Sequence, residues 1–148
     1  MELTESIASI LNKKSGIVYS ITPSDSVFDA IALMAEKSVG ALVVLVQGKV
    51  VGVLSERDYA RKVFLQGRSS KTTRVSEIMS SPVIYVSPQH SVGECMEIMT
   101  AHRIRHLPVL DGDKMIAMIS IGDLVNWILV AQRETIRHLE SYIAGTPQ

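Results

Sequence analysis

Ser55-Glu56-Arg57-Asp58 and Ser120-Ile121-Gly122-Asp123 repeat one pattern, Ser-x-x-Asp, at an offset of 65 residues. Each stands where an apolar, strand-like run gives way to a helical one. Two chemistries fit. In the first, Ser caps a helix and Asp at its third position returns the bond to the Ser backbone, a capping box that needs no ligand. In the second, the carboxylate binds a ribose cis-diol. An ionised carboxylate carries only acceptors and so suits two neighbouring hydroxyls. A helix N-terminus also presents free backbone amides and partial positive charge, which favour a phosphate nearby. On the motif alone the capping reading is the simpler one.

Other residues accompany both copies. Thr22-Pro23 and Ser87-Pro88 place a hydroxyl at the end of a short strand in each. His102-Arg103-Ile104-Arg105-His106 leads into the apolar strand Leu107–Leu110, and Arg105 and His106 stand where the first copy has Gly40 and Ala41. Small residues would allow a flat base to approach closely, whereas Arg would present a fork of donors to phosphate. A basic helix end complementing the helix dipole accounts for His102 and Arg103 better than for Arg105 and His106.

The elements that position these residues are themselves duplicated. Residues 18–64 and 83–129 align without a gap, with identities that include Pro23/Pro88, Ser26/Ser91, Met34/Met99, Leu42/Leu107, Ser55/Ser120 and Asp58/Asp123. Each copy reads as strand, helix, strand, strand, helix. In the first copy, Ile17–Ile21 is a strand and Ser26 with Asp29 caps a helix bearing Val27, Ile31 and Met34 on one face. Val39–Val46 and Val50–Leu54 are strands around a Gln47-Gly48 turn, and Glu56–Gln66 is a helix. In the second copy, Val83–Val86 is a strand and Ser91 with Glu94 caps a helix. Leu107–Leu110 and Met115–Ile119 flank Asp111-Gly112, and a long helix runs from Gly122 to about Ala144, where Gly145 and Pro147 end it. The segment Ile7–Leu11 resembles Val75–Met79, and the polar stretch 67–74 reads as a linker. The expected organisation is one repeat over 7–66 and another over 75–144. A repeat this small is near the lower limit for a core of its own, so the two are expected to form one integrated module. The final helix is too long to bury its apolar stripe within so small a chain, and its later turns are expected to meet a second subunit.

Composition narrows the function classes. The chain has 148 residues, 15 basic against 15 acidic, and is 47% hydrophobic, so total charge does not call for nucleic acid. One cysteine, Cys95, excludes an internal disulfide and suits a reducing compartment. The start Met1-Glu2-Leu3-Thr4-Glu5 lacks the basic character of a signal peptide, and no apolar run approaches the length of a membrane span. A cytoplasmic protein is expected. Cys95 falls on an amphipathic helix and reads as a buried thiol rather than a nucleophile. His102 and His106 would have metal-ligand spacing only on a continuous helix, and the helix is expected to end between them. There is no phosphate-binding glycine loop, dinucleotide fingerprint or catalytic carboxylate pair, so an enzyme is not expected.

The ordered pattern resembles the cystathionine-β-synthase (CBS) domain, and the two copies resemble a CBS pair, or Bateman module, of the stand-alone type. The motifs that carry the resemblance are Ile78-Met79, Ser87-Pro88, Ile104-Arg105-His106-Leu107-Pro108-Val109, Asp111-Gly112 and Ser120-Ile121-Gly122-Asp123-Leu124, with weaker first-copy equivalents over residues 7–130. It implies an α+β fold of two β-α-β-β-α repeats packed with pseudo-two-fold symmetry, plus an N-terminal helix and an extended C-terminal helix. It further implies a regulatory module that binds an adenosine-containing ligand, AMP first, with ADP, ATP, NAD(H) or S-adenosylmethionine as others. By matching position, Thr22, Gly40 and Ala41 in one copy and Ser87, Ile104 and Arg105 in the other would surround the base. Asp58 and Asp123, in their hooks with Ser55 and Ser120, would take the ribose, and Arg57, Arg105 and His106 are phosphate candidates. The implied mechanism is a ligand-dependent change in the orientation of the repeats. The implied partners are a second copy, through CBS helices, and a regulated protein; no metal, membrane or nucleic acid is implied. Val43 in place of Pro108, Gly52 opposite Ala117, and the missing Arg-His pair in the first copy make two unequal clefts the expectation. The alternative is a structural or dimerisation module without a physiological ligand.

Overall fold

Four serines open four helices. Each of Ser26, Ser55, Ser91 and Ser120 has extended backbone and accepts a hydrogen bond from the amide three residues on. Asp58, Glu94 and Asp123 return the bond to their serine's backbone, closing three full capping boxes; Asp29 does not, and the Ser26 cap is one-sided. Such caps stabilise a helix by about 1 kcal/mol each. The computed structural model describes residues 3–14 and 16–145.

The order along the chain is α1 (Ala8–Leu11), β1 (Ser20–Ile21), α2 (Val27–Lys37), β2 (Ala41–Val46), β3 (Lys49–Ser55), α3 (Glu56–Tyr59), α4 (Val92–His102), β4 (His106–Asp111), β5 (Lys114–Ser120) and α5 (Ile121–Ile143). The fold is mixed α+β, with one sheet ordered β1-β2-β3 and another β4-β5. The helix expected over Glu56–Gln66 is α for one turn and then widens to π over Ala60–Phe64. Helices α2 and α4 end alike. Ser38 and Arg103 both adopt left-handed φ, 55° and 54°, and the next amides, Val39 and Ile104, return to Met34 and Met99. Pro147, expected to help end α5, lies outside the described residues, as do Met1 and Glu2; α5 stops at Ile143, with Gly145 at φ 72°.

Two expected strands are shorter than the sequence suggested. Ile17–Ile21 reduces to Ser20–Ile21, which pair in parallel with Val43 and Val44. Val83–Val86 reduces to one parallel bridge, Val86 to Val109, held by Val86 N–H to Pro108 O (3.0 Å) and Leu110 N–H to Val86 O (2.9 Å). The next ladder bond would need an N–H from Pro108, which has none. Val43 occupies the matching place in the first copy, and there the pairing extends to Ser20.

The chain forms two compact units, each built from segments distant in sequence. One combines the N-terminal segment with Pro88–Leu107 and the chain from Ile119 onward; the other combines Gly16–Ser87 with Pro108–Met118. In the latter, Val27, Ala30, Met34, Leu42, Val44, Leu54, Val63, Val75 and Ile78 form the core. Each of these side chains larger than alanine contributes roughly 1.5–3 kcal/mol on full burial, before entropy is counted. Gly52 is required there, because a Cβ would lie 2.7 Å from Met79 Sδ and 3.2 Å from Ser80 O.

The two segments that resembled each other in sequence do equivalent work. Val75 N–H donates to Asp25 O at 2.9 Å, and Val27 N–H to Thr73 O at 2.9 Å, so the second copy's leading segment clamps the start of α2. Ile7 N–H donates to His90 O at 2.9 Å, and Val92 N–H to Glu5 O at 2.9 Å, so the first copy's leading segment clamps the start of α4. Each leading segment therefore docks on the other copy's first long helix.

Candidate functional site

Both Ser-x-x-Asp hooks form as capping boxes at the end of a strand. In the first, Asp58 Oδ2 accepts from Ser55 N–H at 2.9 Å and from Ser55 Oγ at 3.0 Å, and Asp58 N–H donates to Ser55 Oγ at 3.1 Å. In the second, Asp123 Oδ2 accepts from Ser120 N–H at 2.9 Å, and Asp123 N–H donates to Ser120 Oγ at 3.1 Å. The carboxylates thus hold helix starts together, and both remain only half-buried.

The strand-entry residues come to these hooks in both copies through one repeated backbone bond. Glu56 N–H donates to Gly40 O at 3.0 Å, and Ile121 N–H donates to Arg105 O at 2.8 Å. Ala41 lies opposite Ser55 in the β2–β3 register, its methyl buried. The structure therefore brings Gly40, Ala41, Ser55 and Asp58 together in one unit and Arg105, Ser120 and Asp123 together in the other. Ile104 precedes Arg105 and is half-buried, while the Arg105 side chain is exposed. Arg57 lies within the first hook and is half-buried.

A residue that sequence reasoning missed completes the second hook. Lys14 Nζ donates to Asp123 Oδ2 at 2.6 Å, with the two side chains 33% and 26% exposed. The only sequence signal for it was the likeness of Ile7–Leu11 to Val75–Met79, which marked the segment but not the lysine. In the first hook the cation comes from the same helix: Lys62 Nζ lies 3.4 Å from Asp58 Oδ1 and also donates to Ile78 O at 3.0 Å. The position matching Lys62 in the second copy is Trp127, so that hook takes its lysine from elsewhere.

Electrostatics around Asp123 follow from this contact. Burial resists ionisation of Asp123, but the Lys14 hydrogen bond and charge and the Ser120 bonds outweigh it, holding the carboxyl below its ordinary range. Burial lowers the His106 pKa, as do the Lys14 and Arg105 charges, and Asp123 opposes them only in part. His106 is thus a neutral imidazole at neutral pH, and Arg105 is the permanent cation of the pair singled out in sequence.

Thr22 and Ser87 sit at the ends of their short strands in the unit that also holds Gly40, Ala41, Ser55, Arg57 and Asp58. Thr22 is exposed; its N–H donates to Asp25 Oδ2 at 3.0 Å and its hydroxyl lies 3.3 Å from Ser24 Oγ. A cavity of ≈ 280 Å³ in this unit is lined by Ile31, Met34, Ala35, Ser38, Val39, Gly40 and Glu56, so Gly40 and the start of α3 share a concave surface with an apolar wall. Cys95 is fully buried, and burial, with the neighbouring Glu94, pushes its thiol pKa up to about 11. His102 ends α4 and His106 begins β4, so they do not share a helix face. Among the described residues, no group of three or more His, Cys, Asp or Glu could hold a metal, and no helix is long and apolar enough to cross a membrane.

Comparison with known proteins converges with this geometry. The CBS-domain family model matches residues 10–64 and again 75–130. CBS domain-containing protein CBSX3, mitochondrial, of Arabidopsis thaliana is 44% identical over 129 residues, covering 84% of this chain and 63% of that protein. CBS domain-containing protein YhcV of Bacillus subtilis is 32% identical over 118 residues, covering 80% of this chain and 84% of that protein. A solved structure of a CBS-domain protein from Burkholderia ambifaria superposes with a TM-score of 0.83 at 55% identity, covering 86% of this chain and 96% of that one. With two matched domains, ordered motifs and duplicated hooks in agreement, the chain belongs to the CBS-domain family and carries a CBS pair.

Proposed function

We propose that this chain binds an adenosine-containing nucleotide, AMP foremost, and passes that occupancy to a regulated protein. The observation that carries the reading is the duplicated juxtaposition of a carboxylate and a strand entry at a helix start. Asp58 stands with Gly40 and Ala41, and Asp123 with Arg105. The half-buried carboxylates offer acceptors to a ribose cis-diol, and helix N-termini beside them favour an anion. Arg105 supplies a permanent forked cation on one side only, so phosphate preference follows the second copy. ADP, ATP, NAD(H) and S-adenosylmethionine share the adenosine and differ in what Arg105 would meet. The neutral His106 acts as a hydrogen-bonding group rather than a charge. Occupancy acts by shifting the population of repeat orientations. The protein is not itself a catalyst on this reading, and the one buried thiol suits a reducing compartment such as the cytoplasm.

Titration calorimetry with AMP, ATP, NADH and S-adenosylmethionine tests the reading. Binding of at least one ligand below millimolar concentration supports it, and Asp123→Asn should weaken that binding. If none binds, the chain is a structural CBS module. If AMP binds and Asp123→Asn leaves affinity unchanged, the ribose assignment is wrong.

A further inference from the structure

The two hooks hold their carboxylates by different means. On Asp58 both oxygens are engaged: Oδ2 accepts from Ser55 N–H and Ser55 Oγ, and Lys62 Nζ lies 3.4 Å from Oδ1. Lys62 is itself fixed, donating to Ile78 O at 3.0 Å. On Asp123, every hydrogen bond from the described residues falls on Oδ2, from Ser120 N–H at 2.9 Å and Lys14 Nζ at 2.6 Å. The Asp123 side chain is also the more open, 26% exposed against 17% for Asp58. Lys14 comes from the chain just past α1, not from the helix that Asp123 caps. Among the described residues its ammonium bonds Asp123 with one of three donors, on a flexible four-carbon stem.

Charge then decides what the second hook accepts. Lys14 and Asp123 neutralise each other. Arg105 joins the same helix start, its carbonyl accepting from Ile121 N–H at 2.8 Å. His106, which meets the charges of Lys14, Arg105 and Asp123, adds none of its own. A ribose diol on Asp123 competes for the oxygen that Lys14 holds. It thereby deprives an ammonium only 33% exposed of its counter-ion, which costs free energy unless another anion reaches it. A phosphate on the same ligand is such an anion; a bare nucleoside brings none.

We propose that Lys14 selects ligand charge at the second hook: it passes from Asp123 to a ligand phosphate, so the site favours a nucleoside phosphate over the neutral nucleoside. The inference rests on the adenosine reading above and adds to it a residue that lies in neither Ser-x-x-Asp motif. Lys62, held by both Asp58 and Ile78, makes no such exchange, and the first hook lacks this selection.

Titration calorimetry on the full chain tests this with three probes that differ only at the ribose 5′ position: adenosine, AMP and the 5′-ammonium analogue of adenosine. The wild type should bind AMP more tightly than adenosine, and the ammonium analogue less tightly. Lys14→Met should lower the AMP-over-adenosine preference about tenfold, the loss expected for one charge-assisted hydrogen bond, and should relieve the discrimination against the ammonium analogue. Arg105 retains the remaining preference. Lys14→Arg, which keeps the cation, should keep the wild-type order. A lysine that merely holds the fold would change all three affinities by one factor, and that result overturns the inference. So does an AMP preference that survives Lys14→Met, or one that Lys14→Arg loses as fully as Lys14→Met. The two readings fail differently. A wild type that binds none of the three probes removes the adenosine reading and this inference with it. A wild type that binds adenosine and AMP equally well leaves the adenosine reading standing and removes the role of Lys14.

Discussion

Lys14 and Asp123 are 109 residues apart in sequence and joined at 2.6 Å between Nζ and Oδ2. The contact exists because the leading segment of the first repeat docks on the start of α4, in the unit that also holds α5. It ties the N-terminal segment to the carboxylate that caps the start of α5.

The two ends of this contact should differ in their effect on stability. Asp123 also closes a capping box, so Asp123→Ala should cost about 1–2 kcal/mol in urea denaturation. Lys14 contributes one partly exposed pair, so Lys14→Met should cost less than about 1 kcal/mol. Equal losses would mean that the ion pair, not the cap, carries the stability.

Lys14 occupies an acceptor that the proposed ribose would use. Adenosine, which has no phosphate, isolates that competition. Lys14→Met should bind adenosine about two- to tenfold more tightly, the range expected for one released hydrogen bond. Weaker adenosine binding by this variant would show that the lysine assists the ligand.

Acid should weaken the fold in two stages. His106 is held neutral, below its ordinary pKa of 6.5, so the unfolded chain takes the proton first and stability falls as pH drops below that value. Asp123 is held below its ordinary 3.8, so its contribution is present above that value and lost as pH falls through the folded pKa. Comparing urea midpoints at about pH 7.5 and about pH 5.5, the wild type should lose stability and His106→Gln should lose less. Parallel losses would remove His106 as the cause.

Gly52→Ala should destabilise by about 1–3 kcal/mol, because its Cβ would press on Met79 Sδ at 2.7 Å and Ser80 O at 3.2 Å. The Met79 thioether can yield, but the Ser80 backbone is held by Val53 N–H at 3.1 Å. An unchanged thermal midpoint would mean that the crossing relaxes freely.

Cys95, with its thiol pKa near 11 and full burial, should resist alkylation in the native protein and react on unfolding. Rapid native-state modification by iodoacetamide would contradict its placement.

Local pattern made much of this protein legible in advance. Ser26, Ser55, Ser91 and Ser120 open helices because capping depends on residues three apart, and apolar runs bounded by turn residues located β2, β3, β4 and β5 to within two residues. The repeat matched Gly40 to Arg105, the CBS resemblance grouped both with the hooks, and the Glu56–Gly40 and Ile121–Arg105 bonds place them there. What sequence did not show depends on who sits beside whom. Val83–Val86 has strand composition, yet its ladder ends at Pro108, a residue on another segment. His106 looked cationic until its burial beside Lys14 and Arg105 was known. Lys14 itself lies in no motif, and only the exchange of leading segments between copies carries it to Asp123. Caps, periods and repeats are short-range and written in the chain; pairing, burial and charge environment are set by residues far apart in sequence, and so belong to the tertiary structure.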